Sequence, residues 1–151
     1  MKNSVYRDQL RNSAEELNSA VQHLKFSRDS VARLEHVAHT EDWSPEALEK
    51  VEAMTSRFAR VVDLLVHRVL RSIDFYELQE PGTLLDVANR AEQRGLIDSV
   101  DWLREMKDAR NRIAHDYTGE RLPELLDFCN SELNALLLAC ERTIDHIEQL
   151  L

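Results

Sequence analysis

The stretch DARNRIAHDY, residues 108–117, places Arg110, Asn111, His115 and Tyr117 close together. An imidazole has an ordinary pKa of about 6.5 and can exchange protons near neutral pH. A guanidinium is permanently charged and forks onto two oxygens of a phosphate or a carboxylate. The two side chains together suit proton transfer at an anionic centre. On an ideal helix with Leu103 at zero, Met106, Ile113, Ala114 and Tyr117 fall within about 80° of it, and Arg110 at about 20° lies inside the same apolar stripe. A charge in that position needs an acid, an interface or a cleft, because an unpaired buried charge is costly. His115 falls about 120° away, above Asn111, so an ideal helix does not aim Arg110 and His115 in one direction. A structural ion pair for Arg110, and a helix-terminal role for His115 near the negative end of the dipole, is the other reading of the same residues.

The elements that must position these groups are helices. Leu10, Ala14, Leu17, Val21, Leu24, Val31 and Leu34 form a helical stripe over about 3–39. HTEDWSPEA interrupts it, and Ser44-Pro45 reads as an N-cap followed by a first-turn proline. Leu48, Val51, Met54, Phe58, Val62, Leu65, Val69 and Ile73 predict a second helix over about 45–78, closed by Pro81 and Gly82. A short helix from Thr83 to about Arg94 stops at Gly95. Asp98 is placed to cap a helix over about 99–117, and TGERLP turns into a last helix from about Pro123 to the end. That last helix carries Leu122, Leu126, Cys129, Leu133, Leu136, Cys140, Ile144, Ile147 and Leu151. No segment alternates as a strand does. The prediction is one all-α domain over residues 1–151, an up-and-down bundle of four long helices and one short one.

Composition narrows the function. With 151 residues the chain suits one domain with a real core, and three Gly and three Pro leave few helix breakers. No run approaches the roughly 18 apolar residues of a membrane span, and MKNSVYRDQL has no signal-peptide core, so a soluble cytoplasmic protein is expected. A net charge of −9 argues against wrapping duplex nucleic acid by bulk electrostatics, but 15 of the 19 basic residues are Arg, suited to local forked contacts. Cys129 and Cys140 stand eleven residues apart, about 16 Å along one helix, which is too far for a disulfide. His36 and His39 lack a third ligand at suitable spacing, no Walker or GxGxxG loop occurs, and no metal or cofactor is expected. Trp43 and Trp102 read as packing anchors, although Trp102 lies near enough to the motif to border a stacking surface.

RNRIAHDY resembles the signature of HEPN domains, specifically the HepT-like toxins: Arg, a polar residue, three more, His, one residue, Tyr. The signature covers residues 110–117; the resemblance in helix order covers most of the chain. It implies a metal-independent endoribonuclease, usually a homodimer with two motifs meeting across a cleft, paired with a minimal nucleotidyltransferase antitoxin. Arg110 and His115 would be catalytic, Asn111 would position them or the phosphate, and Tyr117 would receive AMP from the partner and so silence the toxin. The ribose 2′-OH supplies the nucleophile, which leaves proton transfer to His115 and charge stabilisation to Arg110. Related bundles are non-catalytic partners of nucleotidyltransferases, and a helical adaptor using the acidic last helix is a third possibility.

A second feature stands apart from the motif. Arg57, Arg60, Arg68 and Arg71 project within about 80° of each other on the second helix, with His67 at their edge. They form either a solvated face paired with acids elsewhere, or a track for RNA phosphates or an acidic partner. Asp63 borders that face, able to pair with Arg110 or orient His115 if the helices adjoin, or to make a surface ion pair.

Overall fold

The computed structural model describes residues 2–77, 80 and 82–151, and no strand occurs among them. The helices are α1 (Lys2–Val31), α2 (Pro45–Asp63), α3 (Leu70–Tyr76), α4 (Leu84–Gln93), α5 (Val100–Ala114) and α6 (Leu122–Leu150). A π-helical turn, Leu64–Val69, joins α2 to α3 without a break, so the predicted second helix is one rod with a wide turn inside it. The Leu70 N–H donates to the Leu65 carbonyl, five residues back, which is the π-helical bond. Predicted ends at Leu78 and Pro81 lie outside the described residues.

Local chemistry sets the boundaries. Ser44 Oγ accepts the Ala47 N–H at 3.1 Å, with Pro45 in the first turn as expected. Thr83 and Asp86 form a reciprocal capping box at the start of α4. Gly95 closes that helix at φ +75°: its N–H donates to the Glu92 carbonyl, and the Leu96 N–H donates to that of Ala91. A Cβ added at Gly95 meets nothing within 4 Å, so the backbone alone resists substitution. Gly95→Ala is therefore expected to cost about 1 kcal/mol, seen as a lower urea midpoint with an unchanged slope.

Three expected boundaries move. The first helix stops at Val31 rather than about 39, and the chain then passes through turns to a 3₁₀ turn, Thr40–Asp42. Ser99, not Asp98, caps α5, accepting the Trp102 N–H at 3.0 Å, while Asp98 pairs with Arg142 on α6. Most consequentially, α5 ends at Ala114, so Tyr117 lies beyond the helix.

Side-chain contacts give the directions of the rods. Arg57 reaches His23 and Ser27, and Arg68 reaches Glu16, so α2 runs antiparallel to α1. Arg7 donates to the Leu151 carbonyl while His36 meets Asp127, which sets α6 antiparallel to α1 as well. Trp102 donates to Glu132 and Arg112 stacks over Phe128, so α5 lies antiparallel to α6. The core lies between these rods: Leu10, Leu17 and Leu24 meet Met54, Phe58, Leu65 and Ile73, with Leu103, Met106, Leu136 and Ile147 closing it. Cys129 and Cys140 are free and buried there, and burial pushes both thiols up to about 12, far from the reactive thiolate range. No helix among the described residues is long and apolar enough to cross a membrane.

Candidate functional site

The motif straddles the end of α5. Arg110 and Asn111 are on its last helical turns, and His115 is its C-cap at φ −102°, ψ 6°, with its N–H on the Asn111 and Ile113 carbonyls. The chain then turns through Asp116–Gly119, with Gly119 at φ +74°, before α6 begins. This turn releases Tyr117 from the apolar stripe predicted for it. The ring is 86% exposed. Ala114, placed in the same stripe by the ideal wheel, is exposed too.

His115 and Tyr117 meet in solvent. The His115 Nδ1 and the Tyr117 hydroxyl are 3.1 Å apart, and the rings pack edge to face with centroids 6.0 Å apart. Both line an open groove of about 500 Å³ together with Asn111, Arg112 and Arg121, while Asp116 and Glu120 contribute negative charge. Arg112 and Arg121 were not singled out by the sequence pattern. Their signal is positional: Arg112 follows the motif's first arginine by two residues, and Arg121 stands at the entry to α6.

Arg110 faces elsewhere. Its Nε lies 2.9 and 3.0 Å from the two oxygens of Asp63, and its Nη1 reaches the Asn111 side-chain oxygen at 3.4 Å. Asp63 thus takes the first of its expected roles, pairing with Arg110, and not the second, orienting His115. The ion pair is half-buried, and it engages Nε rather than the two terminal nitrogens. Arg110 does not line the groove that holds His115. Asn111 connects the two neighbourhoods, touching Arg110 on one side and lining the groove on the other.

On its other side Arg110 is close to a cluster of cations at the π turn. Burial and then Lys107 lower the His67 pKa, with Arg71 and Arg110 adding to the fall and Asp63 opposing it. The predicted four-arginine track is divided by intramolecular contacts. Arg57 donates to the His23 carbonyl and Ser27 Oγ, Arg68 pairs with Glu16 at 2.7 Å, and Arg71 donates to the Gly82 carbonyl. Arg60 is exposed. A wheel drawn for one helix cannot reveal this, because the partners come from α1 and from the turn before α4.

His36, Trp43 and Trp102 do not line the groove. His36 meets Asp127 at 3.4 Å on the surface. Trp43 is buried, and Trp102 is held by Glu132 at 3.1 Å. Among the described residues, no group of three or more His, Cys, Asp or Glu is arranged to hold a metal ion. The chain matches no known family, no curated protein and no solved structure.

Proposed function

We propose that this protein is a HEPN-type, HepT-like endoribonuclease toxin that works as a homodimer and is silenced when a nucleotidyltransferase antitoxin transfers AMP to Tyr117. The observation that carries the reading is the exposed His115–Tyr117 pair in a groove flanked by Arg112 and Arg121, one helical turn from Asn111. An exposed imidazole in a partly basic groove can serve a phosphodiester without rearranging the core.

The chemistry follows from RNA itself. The 2′-oxygen attacks the neighbouring phosphorus as a base takes its proton; the bond from phosphorus to the 5′-oxygen breaks, and that oxygen receives a proton. A 2′,3′-cyclic phosphate and a 5′-hydroxyl result. His115 of one protomer and its symmetry mate divide the two proton transfers. Arg110 stays fixed by Asp63 through its Nε, which leaves the terminal nitrogens outside that ion pair and able to serve the phosphate when a second protomer completes the site. Silencing has an equally local basis. The Tyr117 oxygen attacks the α-phosphorus of ATP while its hydroxyl proton passes to solvent, and pyrophosphate leaves. The AMP phosphate then stands in the groove beside His115, Arg112 and Arg121, rather than against Arg110.

Purified protein incubated with labelled RNA in EDTA is expected to give fragments ending in cyclic phosphate, and Tyr117→Phe is expected to cleave while resisting AMP transfer. Cleavage abolished by chelator, or full neutralisation of Tyr117→Phe by AMP transfer, contradicts the proposal. One observation favours a second reading: Arg110 is committed to Asp63 and lies outside the His115 groove. A non-catalytic partner of a nucleotidyltransferase would have that arrangement too. It would co-purify with the transferase and leave RNA intact.

A further inference from the structure

A second opening, about 280 Å³ in volume, lies between α1 on one side and the π turn and α3 on the other, and shares no lining residue with the His115 groove. Gln9 and Asn12 form its α1 wall; His67, Arg68, Arg71 and Phe75 face them. The charge here is opposite to that of the chain, whose net charge is −9. Two acids near it are taken: Glu16 holds Arg68 and Asp63 holds Arg110. Arg71 touches only a neutral group, the Gly82 carbonyl at 3.2 Å, among the hydrogen bonds of the described residues. Its charge, with that of Lys107 close by, is therefore left over; burial first, and then these cations, lower the His67 pKa.

The opening also has an aromatic wall. Phe75 is partly exposed and stacks in parallel on Tyr6, with ring centroids 5.9 Å apart and 6° between the planes. This fixes the ring before any ligand arrives. A guanidinium and two side-chain amides beside a fixed, partly exposed ring match one unit of a single-stranded nucleic acid, since cations take phosphate and aromatic surfaces take bases. A π turn is an uncommon feature that recurs at functional sites, and this one carries His67 and Arg68.

We infer that this opening binds one nucleotide of single-stranded RNA, its phosphate on Arg71 and its base against Phe75. The site deepens the ribonuclease reading by gripping substrate away from the bond to be cut, and it excludes Arg57 and Arg60 from that task.

Binding is measured with a fluorescent 2′-O-methyl RNA, whose blocked nucleophile prevents cleavage. Gln9 and Asn12 are exposed, so Gln9→Glu and Asn12→Asp add charge to the wall without disturbing the core. Each is expected to weaken binding about tenfold by like-charge repulsion. Arg71→Gln is expected to weaken binding and flatten the plot of log affinity against log salt by about 0.7, one single-strand phosphate contact. Arg60→Glu is expected to stay within about twofold, since it lies outside the opening. No RNA binding, unchanged binding in the α1-wall variants, or an equal loss in Arg60→Glu overturns the inference. So does capture of an acidic protein partner that depends on these residues while RNA binding does not. Parallel cleavage of ordinary RNA separates this failure from that of the ribonuclease reading. Cleavage with unaltered Asn12→Asp binding removes the site alone; selective loss of binding with no cleavage in any variant removes the nuclease alone.

Discussion

His115→Ala is expected to lower RNA cleavage by about 10²–10⁴-fold, the usual contribution of a positioned acid or base. The fold should be untouched. The imidazole is exposed, and its side-chain hydrogen bond is to another exposed group, the Tyr117 hydroxyl. Surface changes of this kind stay within about 0.5 kcal/mol, so the melting temperature should shift by roughly 2 °C at most. The helix end itself is held by backbone bonds to Asn111 and Ile113, which alanine retains. Rate and stability are thus separable at this position. Cleavage that survives in His115→Ala removes the imidazole from the chemistry, and the non-catalytic reading then stands. Arg110→Lys completes the test from the other side. It keeps a positive charge near Asp63 but loses the planar fork, and a lowered rate with a preserved fold points to phosphate recognition.

The periodic parts of the molecule were legible because they follow from burial. The stripes through Leu17, Phe58, Leu103 and Leu136 predict rods and a shared core, and those residues are buried. Capping was legible where the chemistry is unambiguous, as at Ser44-Pro45 and Gly95. The need of Arg110 for a partner was legible too, as the cost of placing a charge in an apolar stripe, and Asp63 was the acid named for it, beside the alternatives of orienting His115 or making a surface ion pair. Asp63 was a candidate because it borders the arginines of α2, and the fold selects it by laying α5 beside α2.

What escaped the sequence depends on where a helix stops or changes pitch. The wheel keeps Tyr117 near Arg110 only if α5 continues, whereas the chain leaves the helix at His115 and turns at Gly119. Three residues of helix decide whether the tyrosine is core or solvent. LLVHRV contains no proline or glycine to mark the π turn, whose stability comes from apolar contacts of Leu65, Val66 and Val69 on a buried side. The separation of Arg110 from the His115 groove, by contrast, was legible, because even an uninterrupted helix does not aim the two side chains in one direction. The motif is contiguous in sequence, but its guanidinium and its imidazole project from different sides of the helix end, as their wheel angles indicate.

The largest expected loss of stability lies far from the motif, at a residue that periodicity passes over. Asp74 sits among Ile73 and Phe75 near the end of the long rod, and its side chain is 2% exposed. Arg94 meets one of its oxygens at 2.6 Å and Arg90 the other at 3.1 Å. Arg94 also binds Glu77 at 2.8 Å, and His146 of α6 stands beside the same glutamate at 3.5 Å. Burial acts to lower the Arg94 pKa, yet the hydrogen bonds to Asp74 and Glu77 outweigh it and leave it raised. Asp74 therefore ties α3 to α4 through two guanidinium groups one helical turn apart. Asp74→Ala leaves both without their shared anion, and breaking a buried pair from one side costs about 3–5 kcal/mol. For a chain of this size that corresponds to a fall in melting temperature of roughly 6–20 °C. Glu77→Ala should cost clearly less, because Glu77 is a third exposed and water screens it. Replacing Asp74, Arg90 and Arg94 together by apolar residues of similar size should recover much of the loss, since the penalty belongs to the unpaired charges and not to the absence of ions. An Asp74→Ala protein that melts within about 2 °C of the parent would show that the two arginines find water without cost. Because the cluster ties α3 to α4 and shares no residue with the motif at the end of α5, cleavage below the new melting temperature should persist in Asp74→Ala.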